Sequence, residues 1–159
     1  MPTLLVKNKQ EILDILKWVI QCMGITPDGS LENLKQEILN LKTMAIGDQL
    51  TPAHFLNLGA MTLKLIDKFR AEHNIELFDP HAFADFLWNK HQKYGAEPLI
   101  EVGTIGIIMR LISKVNRIIN MQILDNTTYS TDDEDTLMDI LGYCALGYQL
   151  IRTTNDKTN

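Results

Sequence analysis

The sequence predicts an all-α protein of about six helices, with an antiparallel C-terminal helical hairpin packed on an N-terminal helical layer. Three observations lead there. Apolar residues recur three and four positions apart in nearly every segment between turn signals, which places them on one helix face. No segment alternates apolar and polar residues with period two. Helix-start signals such as Thr51-Pro52 and Asp79-Pro80 recur, each a capping residue followed by proline at the first helical position, where the missing N–H costs nothing.

Taken in order, the first helix carries Ile12, Leu13, Ile15, Leu16, Val19, Ile20 and Met23, with Asn8 to cap it and Gly24 to end it. Thr26-Pro27-Asp28-Gly29 is a turn, and Ser30 caps a second helix that turns Leu31, Leu34, Ile38 and Leu41 inward and stops near Gly47. Thr51-Pro52 opens a third helix running to about His73, burying Phe55, Leu58, Leu65, Ile66 and Phe69. The fourth starts at Asp79-Pro80, carries Phe83, Phe86, Leu87 and Tyr94, and ends at Gly95 in a left-handed conformation. After a loop with Pro98 and Gly103, Thr104 begins a long helix with Ile105, Ile108, Leu111, Ile112, Val115, Ile118 and Ile119 inward. Asp125 to Ser130 is a polar loop. Thr131 and Glu134 form a capping-box pattern, and the last helix runs to about Arg152 before a polar, frayed tail over 153–159.

The 159 residues suit one domain, spanning 1–152, with enough chain to bury a core without disulfides or a structural metal. A net charge of −5 argues against duplex nucleic acid as the main partner, because phosphate backbones are bound by clustered Lys and Arg. Cys22 and Cys144 lie apart inside apolar patterns and read as reduced core thiols, as in a cytoplasmic protein. The N-terminal apolar stretch is too short for a secretory signal, and Arg110 and Lys114 interrupt the most apolar segment, so no membrane span is expected. The four histidines show no ligand spacing with one another or with cysteine, which leaves surface or capping roles.

Charge recurs at helical spacing inside an apolar pattern in one region. Arg110, Lys114 and Arg117 form a basic stripe on the fifth helix, and Asp135 and Asp139 an acidic stripe on the sixth. Counting equally back from a short connection, with Leu124 opposite Asp132, sets Arg117 opposite Asp139, and Ser113 and Lys114 opposite Gly142 and Tyr143. Lys90, Lys93 and Tyr94 at the end of the fourth helix can line the same pocket. Two readings follow. In one, Arg117 and Asp139 are a structural ion pair between helices; in the other, the bases contact a phosphate and the carboxylates, one turn apart, share a Mg²⁺.

The pattern Lys93-Tyr94-Gly95, Gly106 to Arg110, Lys114, Arg117, Glu134-Asp135, Asp139 and Tyr143 resembles the nucleotide modification associated domain, a small helical family of bacteria and phages. More distantly, the acidic helix is similar to the second half of the MazG-like all-α nucleoside triphosphate pyrophosphatases. The resemblance covers about residues 83–151. It implies a small-molecule nucleotide or modified nucleotide as ligand, Lys93, Tyr94, Arg110, Lys114, Arg117 and Tyr143 as substrate contacts, joined by Lys90 on the face it shares with Tyr94, and Asp135 and Asp139 as catalytic, Mg²⁺-holding carboxylates of a pyrophosphatase-like hydrolase. The chain departs from the MazG-like pattern in that Arg110, Ser113, Lys114 and Arg117 stand where that family carries its first acidic pair, and Thr136 stands where a Glu is expected three residues before Asp139. Nucleotide binding needs only bases and a pocket, so it survives this departure better than metal-assisted hydrolysis. The alternative is a non-catalytic helical domain that binds another protein. A homo-oligomer is expected, since long amphipathic helices in related small domains commonly bury a second face in a dimer.

Overall fold

The computed structural model describes residues 3–125 and 130–158, with side chains for 3–122 and 130–154. Six helices follow one another: α1 (Lys9–Cys22), α2 (Leu31–Ile46), α3 (Pro52–Glu72), α4 (Pro80–Tyr94), α5 (Glu97–Asp125) and α6 (Thr131–Thr158). Among the described residues there is no strand, and no helix is long and apolar enough to cross a membrane. The expected loop over Asp125 to Ser130 and the Leu124–Asp132 pairing fall on positions outside the described side chains.

The helix starts are local chemistry. Asn8 accepts from the Glu11 N–H, Ser30 from the Asn33 N–H and Asp79 from the His81 N–H, each satisfying a backbone donor that the first turn leaves open. At α3 the reciprocal partner is His54, whose Nδ1 accepts from the Thr51 N–H. The cap of α6 differs from the expected Thr131/Glu134 box. Ser130 Oγ accepts from the Asp133 N–H and Asp133 accepts from the Ser130 N–H, one residue earlier. Glu134 is thereby released to pair with Arg70 of α3 at 2.6 Å. The last helix also runs past Arg152 to Thr158, so the polar tail continues as helix.

The stretch around Pro98 is helical rather than a loop. Gly103, at φ 67° and ψ −168°, breaks α5 into a short turn and the long segment expected from Thr104. Gly95, at φ 72° and ψ −176°, has the positive φ expected of it but an extended ψ, a region open essentially to glycine alone.

α6 sits at the centre of the molecule. From Ile140 to Ile151 every residue but Tyr143 and Gln149 is buried, the mark of a helix surrounded by protein. α3 packs on it most extensively, and contacts from Arg70 to Glu134 and from Phe55 to Gly147 run in opposite order along the two helices. α5 covers another side and carries α2 on its own far side. Ile105, expected inward, is exposed, because the face of α5 that holds Val102, Ile105 and Met109 meets neither neighbour.

Candidate ligand-binding site

α4 packs on α1 and meets α6 through side chains, Leu87 beside Gly142 and Lys90 on Asp139. The gap between them, closed on a third side by α5, is a cavity of about 370 Å³. Phe86, Leu87, Leu99, Met138 and Leu146 give it an apolar floor, and Lys90, Arg110, Lys114 and Asp139 stand in its wall. Gly142 lets the α6 backbone form part of the surface.

Two of these cations converge on the one carboxylate. Lys90 Nζ lies 3.0 Å from Asp139 Oδ1 and Lys114 Nζ 3.2 Å from Asp139 Oδ2, so both oxygens are engaged. Lys90 also lies over the Phe86 ring, 4.6 Å from its centroid. Arg110 lies 6.0 Å from the centroid of Tyr143 and is left without a carboxylate partner among the described residues. With three positive groups and one negative, the wall carries a surplus of positive charge over an apolar floor. That combination suits a ligand with an anionic group and a hydrophobic or aromatic body.

The helical register differs from equal counting. Lys114 meets Asp139 and Arg110 meets Tyr143, so α5 stands three residues, almost one turn, from the position in which Arg117 would face Asp139. Leu111, Val115 and Ile118 of α5 and Leu137, Ile140, Leu141 and Cys144 of α6 are all buried in the core, and packing of this kind fits a register that equal counting does not give. Arg117 is exposed and makes no ion pair among the described residues. The basic and acidic stripes do meet, one turn further along than counted.

Of the residues singled out from sequence, Lys90, Tyr94, Arg110, Lys114, Asp139 and Tyr143 line this cavity. Asp135 and Asp139 both line an adjoining cavity of about 430 Å³, which shares Phe86, Lys90, Met138 and Asp139 with the first. Lys93 and Arg117 line neither; Lys93 lies 5.4 Å from the Tyr94 ring centroid at the exposed end of α4. Sequence reasoning missed Phe86, Met138 and His91. Phe86 and Lys90 are one turn apart, and so are Met138 and Asp135, so the spacing that revealed the charges also held their apolar neighbours.

His91 overturns the expectation of a surface or capping role. It is buried, and its Nε2 accepts from the N–H groups of Leu5, at 2.9 Å, and Val6, at 3.3 Å. The proton of the neutral ring therefore sits on Nδ1. Burial lowers the His91 pKa, opposed by the charge of Glu97. Glu97 in turn accepts from the Thr3 N–H at 2.6 Å, a bond that holds its carboxyl below the usual range, and Ala96 donates to the Thr3 carbonyl. The N-terminal segment is thus tied to the corner between α4 and α5 that forms one end of the cavity. Cys144 is buried and its thiol pKa is raised by desolvation, which fits an inert core thiol.

Asp135 and Asp139 fit a protein-held Mg²⁺ poorly. Asp139 already accepts from two ammonium groups, and no cluster of three or more His, Cys, Asp or Glu suited to a metal exists among the described residues. Compared with known proteins, the chain matches no family model, no curated protein and no solved structure.

Proposed function

We propose that this protein binds a nucleotide or modified nucleotide in the cavity between α4, α5 and α6, in keeping with its resemblance to the nucleotide modification associated domain. The observation that carries the reading is the convergence of Lys90, Arg110 and Lys114 on an apolar-floored cavity that holds a single carboxylate. A phosphate would lie among the three cations and the body of the ligand against Phe86 and Met138. Asp139 holds Lys90 and Lys114 in place before the ligand arrives and gives them up to the phosphate when it binds. The setting implied by the resemblance is the nucleotide metabolism of a bacterium or phage, inside the cell.

A thermal-shift screen of nucleoside mono-, di- and triphosphates tests this, because a ligand that binds only the native state raises the melting temperature. The expected result is a rise that grows with ligand concentration and shrinks with added salt. A melting temperature unmoved by every nucleotide and by pyrophosphate would remove the proposal. The second reading, a helical protein-interaction domain, is favoured by one feature: Val102, Ile105 and Met109 are exposed in a row on α5. A second copy of the chain on that face would make the homo-oligomer the sequence leads one to expect.

A further inference from the structure

The two adjoining cavities differ in chemistry. Around the first, the free positive charge is that of Arg110, with Lys114 shared with Asp139. Around the second, the cations are engaged: Arg70 donates to Glu134 and to the Glu76 carbonyl, and Lys90 to Asp139. Asp135, by contrast, is exposed on α6, and its carboxylate makes no hydrogen bond or ion pair among the described residues. It stands beside an aromatic wall in which Phe83 lies 5.5 Å from Phe78 and 6.1 Å from Phe86, centroid to centroid. A carboxylate is an acceptor only, so an unengaged one beside aromatic rings is complementary to a planar group that presents N–H donors at its edge.

From this we infer that the two cavities act as one groove selecting a nucleotide whose base carries an exocyclic amino group, as adenine and cytosine do, over one with a carbonyl there. The inference rests on the nucleotide-binding reading above and adds the class of base. The phosphate lies at Lys90, Arg110 and Lys114, the base lies along Phe86 and Phe78, and the amino group donates to Asp135. Along α6, Asp135 lies four residues from Asp139, the partner of Lys90 and Lys114, and eight from Tyr143, which faces Arg110, so the cations lie from about 6 to about 12 Å away at the α-helical rise. The upper end of that range is about the reach from the phosphate of a mononucleotide to the far edge of its base. A carbonyl at the same edge would set its oxygen against the Asp135 carboxylate, and like partners without a proton between them repel.

The test is isothermal titration of the intact protein with two matched pairs, CMP against UMP and AMP against IMP, repeated on Asp135→Asn. The amino member of each pair is expected to bind at least tenfold more tightly. Asp135→Asn should flatten both preferences by raising UMP and IMP affinity, because an amide can donate to the carbonyl as well as accept from the amino group. Asp135 is exposed, so the variant is expected to fold; an unchanged melting temperature checks this. Equal binding of both members, or tighter binding of UMP and IMP, overturns the inference while leaving nucleotide binding in place. A preference that survives Asp135→Asn also overturns it. Failure of all four nucleotides to bind overturns the inference and the underlying reading together.

Discussion

At the scale of single residues, the distinction that matters is between cations that face the cavity and those that do not. Lys114 and Arg117 share a stripe in the sequence, yet Lys114 reaches Asp139 and lines the cavity while Arg117 is exposed. Lys114→Ala is therefore expected to weaken nucleotide binding at least tenfold, since a hydrogen bond to a charged group contributes about 1.5–3 kcal/mol. Arg117→Ala should leave affinity within about twofold, and calorimetric titration of both variants checks the pair. Equal losses would mean that the observed register does not govern the site. Asp139 calls for a different expectation. Its partners are partly exposed, with side-chain accessibilities of 47% for Lys90 and 29% for Lys114, so Asp139→Asn should cost less than about 1 kcal/mol of stability. The same change removes the one carboxylate that competes with a ligand's phosphate for both lysines. Pyrophosphate should then bind more tightly to the variant than to the native protein. Weaker binding would show that Asp139 does more than hold the lysines.

At the scale of helices, close approach is decided by where α6 is small. A Cβ added at Gly147 would lie 2.8 Å from the ring of Phe55, which is fully buried and cannot swing aside. Gly147→Ala should therefore destabilise the protein by about 1–3 kcal/mol through overpacking, despite the better helix propensity of alanine. At Gly142 the added carbon would meet only Leu87 Cδ1, at 3.3 Å, the end of a side chain beside the cavity. Gly142→Ala should be close to neutral, and urea denaturation of the two variants side by side gives the comparison. A loss at Gly142 as large as that at Gly147 would contradict it. The same contrast shows what the sequence could reveal. Helix starts were legible because a cap acts within three residues: Asn8, Ser30 and Asp79 all cap where their types and spacing say they should. Where two capping boxes overlap, as at Ser130/Asp133 and Thr131/Glu134, the choice depends on Arg70 drawing Glu134 away from a helix sixty-four residues earlier in the chain. The register of α5 on α6 likewise fits core packing rather than equal counting, so residue types at the site were legible while their exact partners were not. Phe86 and Met138 read as ordinary core positions, because nothing local tells a side chain that lines a cavity from one that fills a core.

At the scale of the whole molecule, the N-terminal segment is fastened to the α4–α5 corner by a titrating group, which makes global stability depend on pH in a direction that can be worked out. His91 is buried and neutral in the folded protein, and protonation of its Nε2 would remove the acceptor for the Leu5 and Val6 N–H groups. Its folded pKa is lowered from the ordinary value of 6.5, chiefly by burial. Above pH 6.5 neither the folded nor the unfolded chain binds this proton, and the stabilisation is complete. As the pH falls below 6.5 the unfolded chain takes up the proton first, so stability falls until the folded protein takes it up as well. Glu97 acts in the same direction at lower pH, because its carboxyl pKa is held down chiefly by the bond from the Thr3 N–H, and that contribution disappears as the carboxyl is protonated. Between pH 7.5 and 5.5 stability should fall, and the His91 share of the loss is bounded by one proton over the single pH unit below its unfolded value, at most about 1.4 kcal/mol. Equilibrium urea denaturation at the two pH values measures it, and His91→Gln isolates the share from that of the other three histidines. The variant should be less stable than the native protein at pH 7.5, where the imidazole acceptor is lost, and should show a smaller drop on acidification. If the variant loses as much stability as the native protein between the two pH values, His91 is not the group that ties this segment down.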